Sequence, residues 1–292
     1  MTEQAKPTGK GGTMPWIMLL ALVAAGQAAP VIDDVALERG FVAGLARPEA
    51  DALHGKRATK ALEAAEGKTV DFPAVAAPVP PDYESVCRGV VVIGSVDFCP
   101  DCQETHMGAV SSGWIASSEG HVVTNHHVLA DKTAGELGVM TFDGTVYPVL
   151  EVLAADREGD AAILRIDPGG AALSALPLSA GVRTGNNIRV VGHPDGRFYS
   201  LTEGIVSRVF VEPTSDERGT RTWLTVTADY GGGSSGAPVL NEAGEVVGMV
   251  SSTAALLADA VEGAESGAAD VQMVFRDCAS VETIGGLFRR RE

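Results

Sequence analysis

The apolar and polar positions of this chain change pattern along its length, and most of the pattern predicts β-structure. From residue 89 onward, short runs rich in Val, Ile and Leu are separated by turn-forming residues. Such runs are typical of strands, and many of them in succession indicate a sandwich or barrel. The Asp143-Gly144 pair between two runs is a two-residue hairpin signal. We predict strands over 89–93, 113–116, 121–124, 138–142, 145–153, 161–166, 187–191, 204–211, 222–227, 245–250 and 271–275.

The pattern differs on either side of this β-rich region. Residues 48–67 start and stop like a helix with a thin apolar face, so we predict a short helical segment within 29–70. The proline-rich residues 71–82 predict an extended linker. After the last predicted strand, residues 280–291 predict a terminal helix. Residues 254–270, rich in Ala, Gly and acidic side chains without periodicity, predict a loop.

The first 28 residues have the pattern of an export signal. Lys6 and Lys10 precede an apolar run at 16–25, and small residues stand at the two positions of 26–28 that a signal peptidase reads. The run is shorter than the roughly 20 residues that span a bilayer. We therefore expect an exported protein, periplasmic or extracellular, with an uncleaved membrane anchor as the alternative.

Composition and charge narrow the class of partner. The chain has 292 residues with 45% hydrophobic content, which is enough for a globular core. Its formal net charge is −16, whereas nucleic-acid binding needs clustered Lys and Arg to neutralise phosphates. The basic cluster at 289–291 is a terminal tail. We expect no nucleic-acid partner.

Cys87, Cys99, Cys102 and Cys278 allow several interpretations. In an exported chain they fit two disulfides, 99–102 and 87–278. Cys99 and Cys102 could instead join His106 as zinc ligands, although no fourth ligand is evident. A redox-active pair and free thiols also stay open. We adopt the disulfides as the prediction, with no metal.

A glycine-rich turn at 231–238 lies between two predicted strands and carries Ser235. A serine that attacks a carbonyl needs such a turn, because glycine permits positive φ angles and close approach of the substrate. The N–H groups of Gly233 and Ser235 would then bind the oxyanion. Taken alone, this segment is better explained as a Gly/Ser-rich hairpin loop.

Two upstream segments change that interpretation. Residues 120–129 carry His126 and His127 where a strand ends, and Asp160 leads directly into an apolar strand. A half-buried carboxylate can accept the imidazole Nδ1–H, fix its tautomer and stabilise the imidazolium. Singly, the histidines fit a surface loop or metal ligands, and the aspartate fits a turn. The order His, Asp, Ser at three strand–turn junctions predicts a serine nucleophile with a histidine base.

The three segments together resemble the motifs of chymotrypsin-fold serine endopeptidases, closest to the protease domain of the HtrA/Deg type. Residues 124–128 resemble T-N-x-H-V, with His127 as the base. Residues 160–164 resemble D-[IL]-A-[VL]-[LI], with alanine in the second position, and 233–238 match G-x-S-G-x-P. Residues 191–196 and 202–207 resemble the strands that open the family's second barrel.

This resemblance implies an all-β fold of two six-stranded antiparallel β-barrels over residues 83–292, with a cleft between them. His127 and Asp160 would come from the first barrel and Ser235, the nucleophile, from the second, without metal or cofactor. Protein or peptide substrates are implied, and a trimer by analogy. HtrA-type proteins usually carry PDZ domains after the protease domain. We expect none here, because strands and the terminal helix account for the residues after Ser235.

The residues that would line the substrate pocket are less constrained by pattern. Asp229 stands six residues before Ser235, where trypsin-like enzymes place a carboxylate that selects Arg or Lys, whereas HtrA-like enzymes favour small aliphatic residues. Ser251, Ser252 and Thr253 are expected along the cleft edge, beside the 254–270 loop. The alternative function is a catalytically silent protease fold used for binding or chaperoning, with a structural or redox- or metal-sensitive Cys99/Cys102 loop.

Overall fold

Two curled antiparallel β-sheets and several short helices form the part of the chain that the computed structural model describes, residues 30–46, 52–71, 78–130, 135–257 and 271–289. The predicted export signal lies outside these ranges, as do the last residues of the basic tail. None of the helices within them is long and apolar enough to cross a membrane.

The helices and strands are numbered in chain order. The helices are α1 (Asp34–Leu45), α2 (Gly55–Ala65), α3 (Tyr83–Cys87), α4 (His127–Ala130) and α5 (Val281–Gly285). The strands are β1 (Val70–Asp71), β2 (Val90–Cys99), β3 (Glu104–Met107), β4 (Ser111–Ile115), β5 (His121–Thr124), β6 (Glu136–Met140), β7 (Val146–Pro148), β8 (Glu151–Asp156), β9 (Ala161–Arg165), β10 (Asn187–Gly192), β11 (Ser200–Pro213), β12 (Thr220–Val226), β13 (Pro238–Leu240), β14 (Val246–Leu257), β15 (Val271–Ser280) and β16 (Phe288–Arg289).

The strand order gives the predicted double-barrel architecture. The first sheet runs β7-β6-β2-β4-β5-β9-β8, with β3 paired to β2, and it curls without closing. The second sheet closes as a six-stranded barrel in the order β10-β11-β12-β15-β14-β13. The all-β prediction is confirmed, with a half-barrel followed by a full ring.

Alternation along the central strands divides the core into three clusters. In β2, Val91 and Ile93 point into the first sheet's interior, whereas Val90 and Val92 join a cluster shared with the second sheet. In β10, Val190 points into the second barrel. Because successive side chains of a strand point to opposite faces, a continuous Val/Ile run can be buried on both sides. The shared cluster fixes one sheet against the other.

The N-terminal helices pack against the β-sheets through buried side chains. The Asp33 carboxylate caps α1 by accepting from the Ala36 N–H at 3.0 Å, and Phe41 of α1 is fully buried. In α2, Leu62 is buried against the first sheet. Burying one such side chain stabilises a fold by about 1.5–3 kcal/mol. Sequence reasoning found α2 within 48–67 but not α1, whose apolar face has few buried residues.

Three local predictions require correction. The terminal helix predicted over 280–291 is α5 alone, because the helix is capped at Gly286 and β16 then pairs in parallel with β1. Of the loop predicted over 254–270, residues 254–257 continue β14 against β15, and 258–270 lie outside the described residues. The Asp143-Gly144 hairpin has three loop residues, because Thr141 N–H donates to Thr145 O and Gly144 has φ +83°.

Candidate active site

His127, Asp160 and Ser235 lie together where the two sheets face each other. His127 Nε2 is 2.9 Å from Ser235 Oγ, and its Nδ1 is 2.9 Å from Asp160 Oδ2. The His127 backbone N–H also donates to Asp160 Oδ1 at 3.0 Å. The imidazole is 48% exposed and the carboxylate 16%. Since Nδ1 faces a carboxylate, the proton resides there and Nε2 accepts from the serine hydroxyl.

A tight turn between β8 and β9 places the Asp160 carboxylate. Asp160 has φ +48°, a left-handed conformation that Asp tolerates better than most residues. Asn125, fully buried, donates its side-chain N–H to the Asp160 carbonyl at 2.9 Å. Asp156 accepts from the Gly159 N–H and pairs with Arg221 of β12 at 2.6 Å. The turn is therefore held both by the first sheet and by the second.

Ser251 has a position that sequence reasoning did not foresee. We expected it along the substrate cleft edge, but its hydroxyl donates to Asp160 Oδ2 at 2.5 Å. The Asp160 carboxylate thus accepts from His127 and Ser251 together. A carboxylate with several donors has little freedom to rotate, so these contacts fix the orientation of the imidazole. No local pattern around Ser251 indicates this contact.

The Ser235 turn leaves two backbone N–H groups unused. Within the described residues, neither Gly233 nor Ser235 donates its N–H to the protein. Gly233 has φ +94°, and the preceding Gly232 carbonyl accepts from the Asp195 N–H at 2.7 Å. Because a trans peptide directs its N–H opposite to its carbonyl, that bond holds the Gly233 N–H in the other direction. The arrangement offers two donors beside the serine hydroxyl, as an oxyanion site requires.

Ser112 of β4 holds this turn against the first sheet. Its N–H donates to the Ser235 carbonyl at 2.8 Å, and its hydroxyl donates to the Gly233 carbonyl at 2.9 Å. The same hydroxyl accepts from the His193 N–H at 3.2 Å. Gly236 has φ +87°, and a side chain there would collide with the Ser112 carbonyl. Sequence reasoning missed Ser112, because a serine within a strand carries no distinctive signal.

His193 is a fully buried structural histidine beside the same turn. Its Nδ1 accepts from the Tyr199 N–H and its Nε2 donates to the Val91 carbonyl, both at 3.0 Å. Burial lowers the pKa of His193 to about 4, because the interior disfavours the imidazolium. The ring is therefore neutral near pH 7 and links β2 to the loop that precedes β11.

His126 points away from the serine. It is buried, its Nε2 lies 3.7 Å from Glu66 Oε2, and burial lowers its pKa. The other Glu66 oxygen accepts from the Arg157 N–H at 2.9 Å. Glu66, at the end of α2, thus contacts a neighbour of His127 and the turn that carries Asp160. Glu66 is therefore one contact between the N-terminal helices and the site.

The predicted pocket residues lie on β14 and in the connection between β12 and β13. The Asp229 carboxylate is 78% exposed and forms an ion pair with Arg276 at 2.5 Å. Tyr230 Oη lies 2.9 Å from the Ser252 carbonyl and 3.0 Å from that of Asp277. Ser252 and Thr253 are exposed on β14. Asp229 is therefore a paired surface carboxylate in this structure.

The disulfide prediction is wrong for this structure, in which all four cysteines are unbridged. Cys87 and Cys278 are buried in different hydrophobic clusters, and burial raises the pKa of each to about 12. Cys99 and Cys102 meet at the tip of the β2–β3 hairpin with separate sulfurs. Sequence spacing could not reveal that Cys87 and Cys278 belong to different parts of the core.

Comparisons with known proteins agree with this geometry. A family model described as a trypsin-like peptidase domain matches residues 111–249. Protease Do-like 1, chloroplastic, of Arabidopsis thaliana is 31% identical over 52% of this chain and 35% of its own length.

Two bacterial proteins are similarly related. A probable periplasmic serine endoprotease DegP-like of Ectopseudomonas mendocina is 32% identical over 51% of this chain and 31% of its own length. Serine endoprotease DegS of Escherichia coli is 30% identical over 48% of this chain and 39% of its own length. The chain thus spans about a third of the length of these relatives. Its fold, the family model and these relatives together support a serine protease of the chymotrypsin fold that is similar to the HtrA type.

Proposed function

We propose that this chain hydrolyses peptide bonds in protein substrates with Ser235 as the nucleophile. His127 takes the serine proton at Nε2 and later delivers it to the leaving amine, while Asp160 fixes the Nδ1–H tautomer and stabilises the imidazolium. The Gly233 and Ser235 N–H groups bind the oxyanion of the tetrahedral intermediate. No step in this scheme requires a metal or cofactor.

One observation carries this proposal: the imidazole is within 2.9 Å of both its partners. Hydrogen-bond reach on both sides of the ring is the geometric requirement for a nucleophile–base–carboxylate relay. The catalytically silent alternative needs a collapsed oxyanion site or a blocked cleft. The two unused N–H groups at the serine turn argue against a collapsed site.

Labelling with a fluorophosphonate probe tests the proposal directly. The parent protein should be labelled at Ser235, and Ser235→Ala should not. His127→Ala should lose labelling while its circular dichroism stays that of the parent. A folded parent that is neither labelled nor able to cleave an unfolded protein such as casein would refute the assignment.

We further propose that the residue before the scissile bond is small and uncharged. A carboxylate that selects Arg or Lys must be unpaired in the pocket, whereas Asp229 is exposed and already paired with Arg276. Tyr230, the next residue, donates its hydroxyl to the Ser252 and Asp277 carbonyls and adds no charge that would select a basic side chain. A peptide library should show Val or Ala preferred over Arg before the cleaved bond.

We also propose that the protein is exported, and its assembly state can be tested. The apolar run at 16–25 with its upstream lysines supports an exported, periplasmic protein. The DegP-like relative of Ectopseudomonas mendocina is periplasmic by name. Another relative is chloroplastic by name. Fractionation of cells with N-terminal sequencing of the product would separate a cleaved signal from an anchor. Sedimentation analysis would show whether the protein is a trimer.

A further inference from the structure

The hairpin formed by β2 and β3 ends in three metal-ligating side chains that the proposed protease chemistry does not use. Cys99 closes β2, Cys102 lies in the turn and His106 lies on β3. Their ligand atoms all fall within 4.8 Å of one another, and Cys102 Sγ is 2.8 Å from His106 Nε2. Sequence reasoning considered this set as zinc ligands but preferred a disulfide.

The strand register explains why the three side chains converge. His106 is paired with Asp97, and Cys99 stands two residues beyond Asp97 on the same face of β2. Diagonal neighbours on one face of a strand pair are within reach of long side chains. The turn then brings Cys102 back toward that face. A hydrogen bond closes this turn, in which the Gln103 N–H donates to the Cys99 carbonyl at 3.0 Å.

Two residues constrain the backbone of the turn. Pro100 fixes one of its φ angles, and Gln103 adopts φ +60°. The turn therefore holds Cys102 close to Cys99 and His106 before any ligand arrives.

The distances fit a tetrahedral cation with little movement. Zinc–sulfur and zinc–nitrogen bonds of about 2.3 and 2.05 Å place two sulfurs about 3.7 Å apart, and a sulfur and a nitrogen about 3.6 Å apart. The three ligand atoms already lie within 4.8 Å, so closure requires rotamer adjustments of about an ångström or less. Thiolate and imidazole ligands together favour zinc over calcium or magnesium.

We propose that Cys99, Cys102 and His106 bind one Zn²⁺ at the hairpin tip, with water in the fourth position. Among the described residues no fourth His, Cys, Asp or Glu joins the cluster. The ligands are intermediate or exposed, so the ion would exchange with solvent. Binding releases the thiol protons, and the ion then ties the end of β2 to β3. This proposal is independent of the triad.

Cobalt titration of the reduced full-length protein tests the site. Co²⁺ should bind in one-to-one stoichiometry with a thiolate-to-cobalt charge-transfer band, and Zn²⁺ should displace it. Cys102→Ser should abolish the band. His106→Ala should weaken binding by about a hundredfold or more, since even outer-shell partners are worth 10–100-fold. The exposed His54, which lies outside the cluster, supplies the matched control, and His54→Ala should bind like the parent.

Several results would overturn the proposal. One is the absence of the band in the reduced parent. A second is binding that survives both Cys102→Ser and His106→Ala, which would mean adventitious metal on the acidic surface. A charge-transfer band that is lost in Cys102→Ser but unchanged in His106→Ala would show that the histidine is not a ligand. The mass of protein isolated under nitrogen is a further test. A mass two hydrogens below that of the reduced protein, restored on reduction, would identify a Cys99–Cys102 disulfide instead.

Discussion

Replacing Ser112 with alanine should weaken both the fold and catalysis, because one hydroxyl holds two backbone groups of the active-site region. The hydroxyl donates to the Gly233 carbonyl at 2.9 Å and accepts from the His193 N–H at 3.2 Å, and Ser112 is fully buried. An unsatisfied buried polar group costs about 1–3 kcal/mol. With two such groups, the free energy of unfolding should fall by about 2–6 kcal/mol.

The catalytic effect follows from the position of Gly233. Removing one oxyanion donor outright costs about 10²–10³ in kcat. Ser112→Ala leaves the Gly233 N–H in place but loosens its peptide, so we expect a smaller loss, about 10- to 100-fold in kcat, with KM unchanged.

Urea unfolding and steady-state cleavage of a peptide substrate measure the two effects. Ser111→Ala is the matched control. Ser111 precedes Ser112 on β4 and is also buried, but its hydroxyl makes no hydrogen bond to the described residues. It should leave kcat within about twofold of the parent. If Ser112→Ala lowered stability but kept the parent's kcat, Ser112 would be a structural residue and our account of the oxyanion turn would be wrong.

Three further predictions concern the same region. Asp160→Asn should reduce kcat by about 10⁴-fold with little change in KM, because an amide favours the wrong imidazole tautomer. End-point assays with long incubation would measure the residual kcat. Gly236→Ala should lower the free energy of unfolding in urea by about 2 kcal/mol or more, given φ +87° and the Ser112 carbonyl beside it, whereas Gly231→Ala, with open space around it, should not. The His193 pKa, about 4 in the folded protein against about 6.5 unfolded, should make stability fall between pH 6.5 and 4 by about 3 kcal/mol, since the unfolded chain binds the extra proton there. Urea unfolding at pH 4 and at pH 7 measures the loss, and folded His193→Gln should lose about this amount less than the parent.

The parts of the fold that sequence could predict are those with a local signal. Short apolar runs and the turn residues between them identify most strands of both sheets, because a strand buried on one or both faces constrains every residue in it. The three segments that carry His127, Asp160 and Ser235 were recognisable because each needs specific neighbours to present its side chain. Their mutual distances could not be obtained from sequence and come from the structure.

The residues that support the site had no such signal. Ser112, Ser251 and Glu66 are common residue types whose roles depend on partners far away in the chain, such as Gly233 or Asp160. The same cause explains the incorrect Cys87–Cys278 pairing. A thiol's partner depends on which cluster its strand or helix enters, and that is decided by tertiary packing.

The contacts around the triad show that catalytic geometry in this protein depends on how the two sheets meet. His127 and Asp160 belong to the first sheet and Ser235 to the second, and the bonds that fix them also cross between the sheets: Ser112 to the serine turn, Ser251 to Asp160. A misplacement of about 1 Å can cost about 100-fold in rate. Stability of the whole fold averages over many contacts, whereas the Nε2–Oγ distance depends on these few. We therefore expect the shared apolar cluster, which packs one sheet against the other, to affect turnover as well as stability, and small shifts between the sheets should reduce turnover well before they unfold the protein.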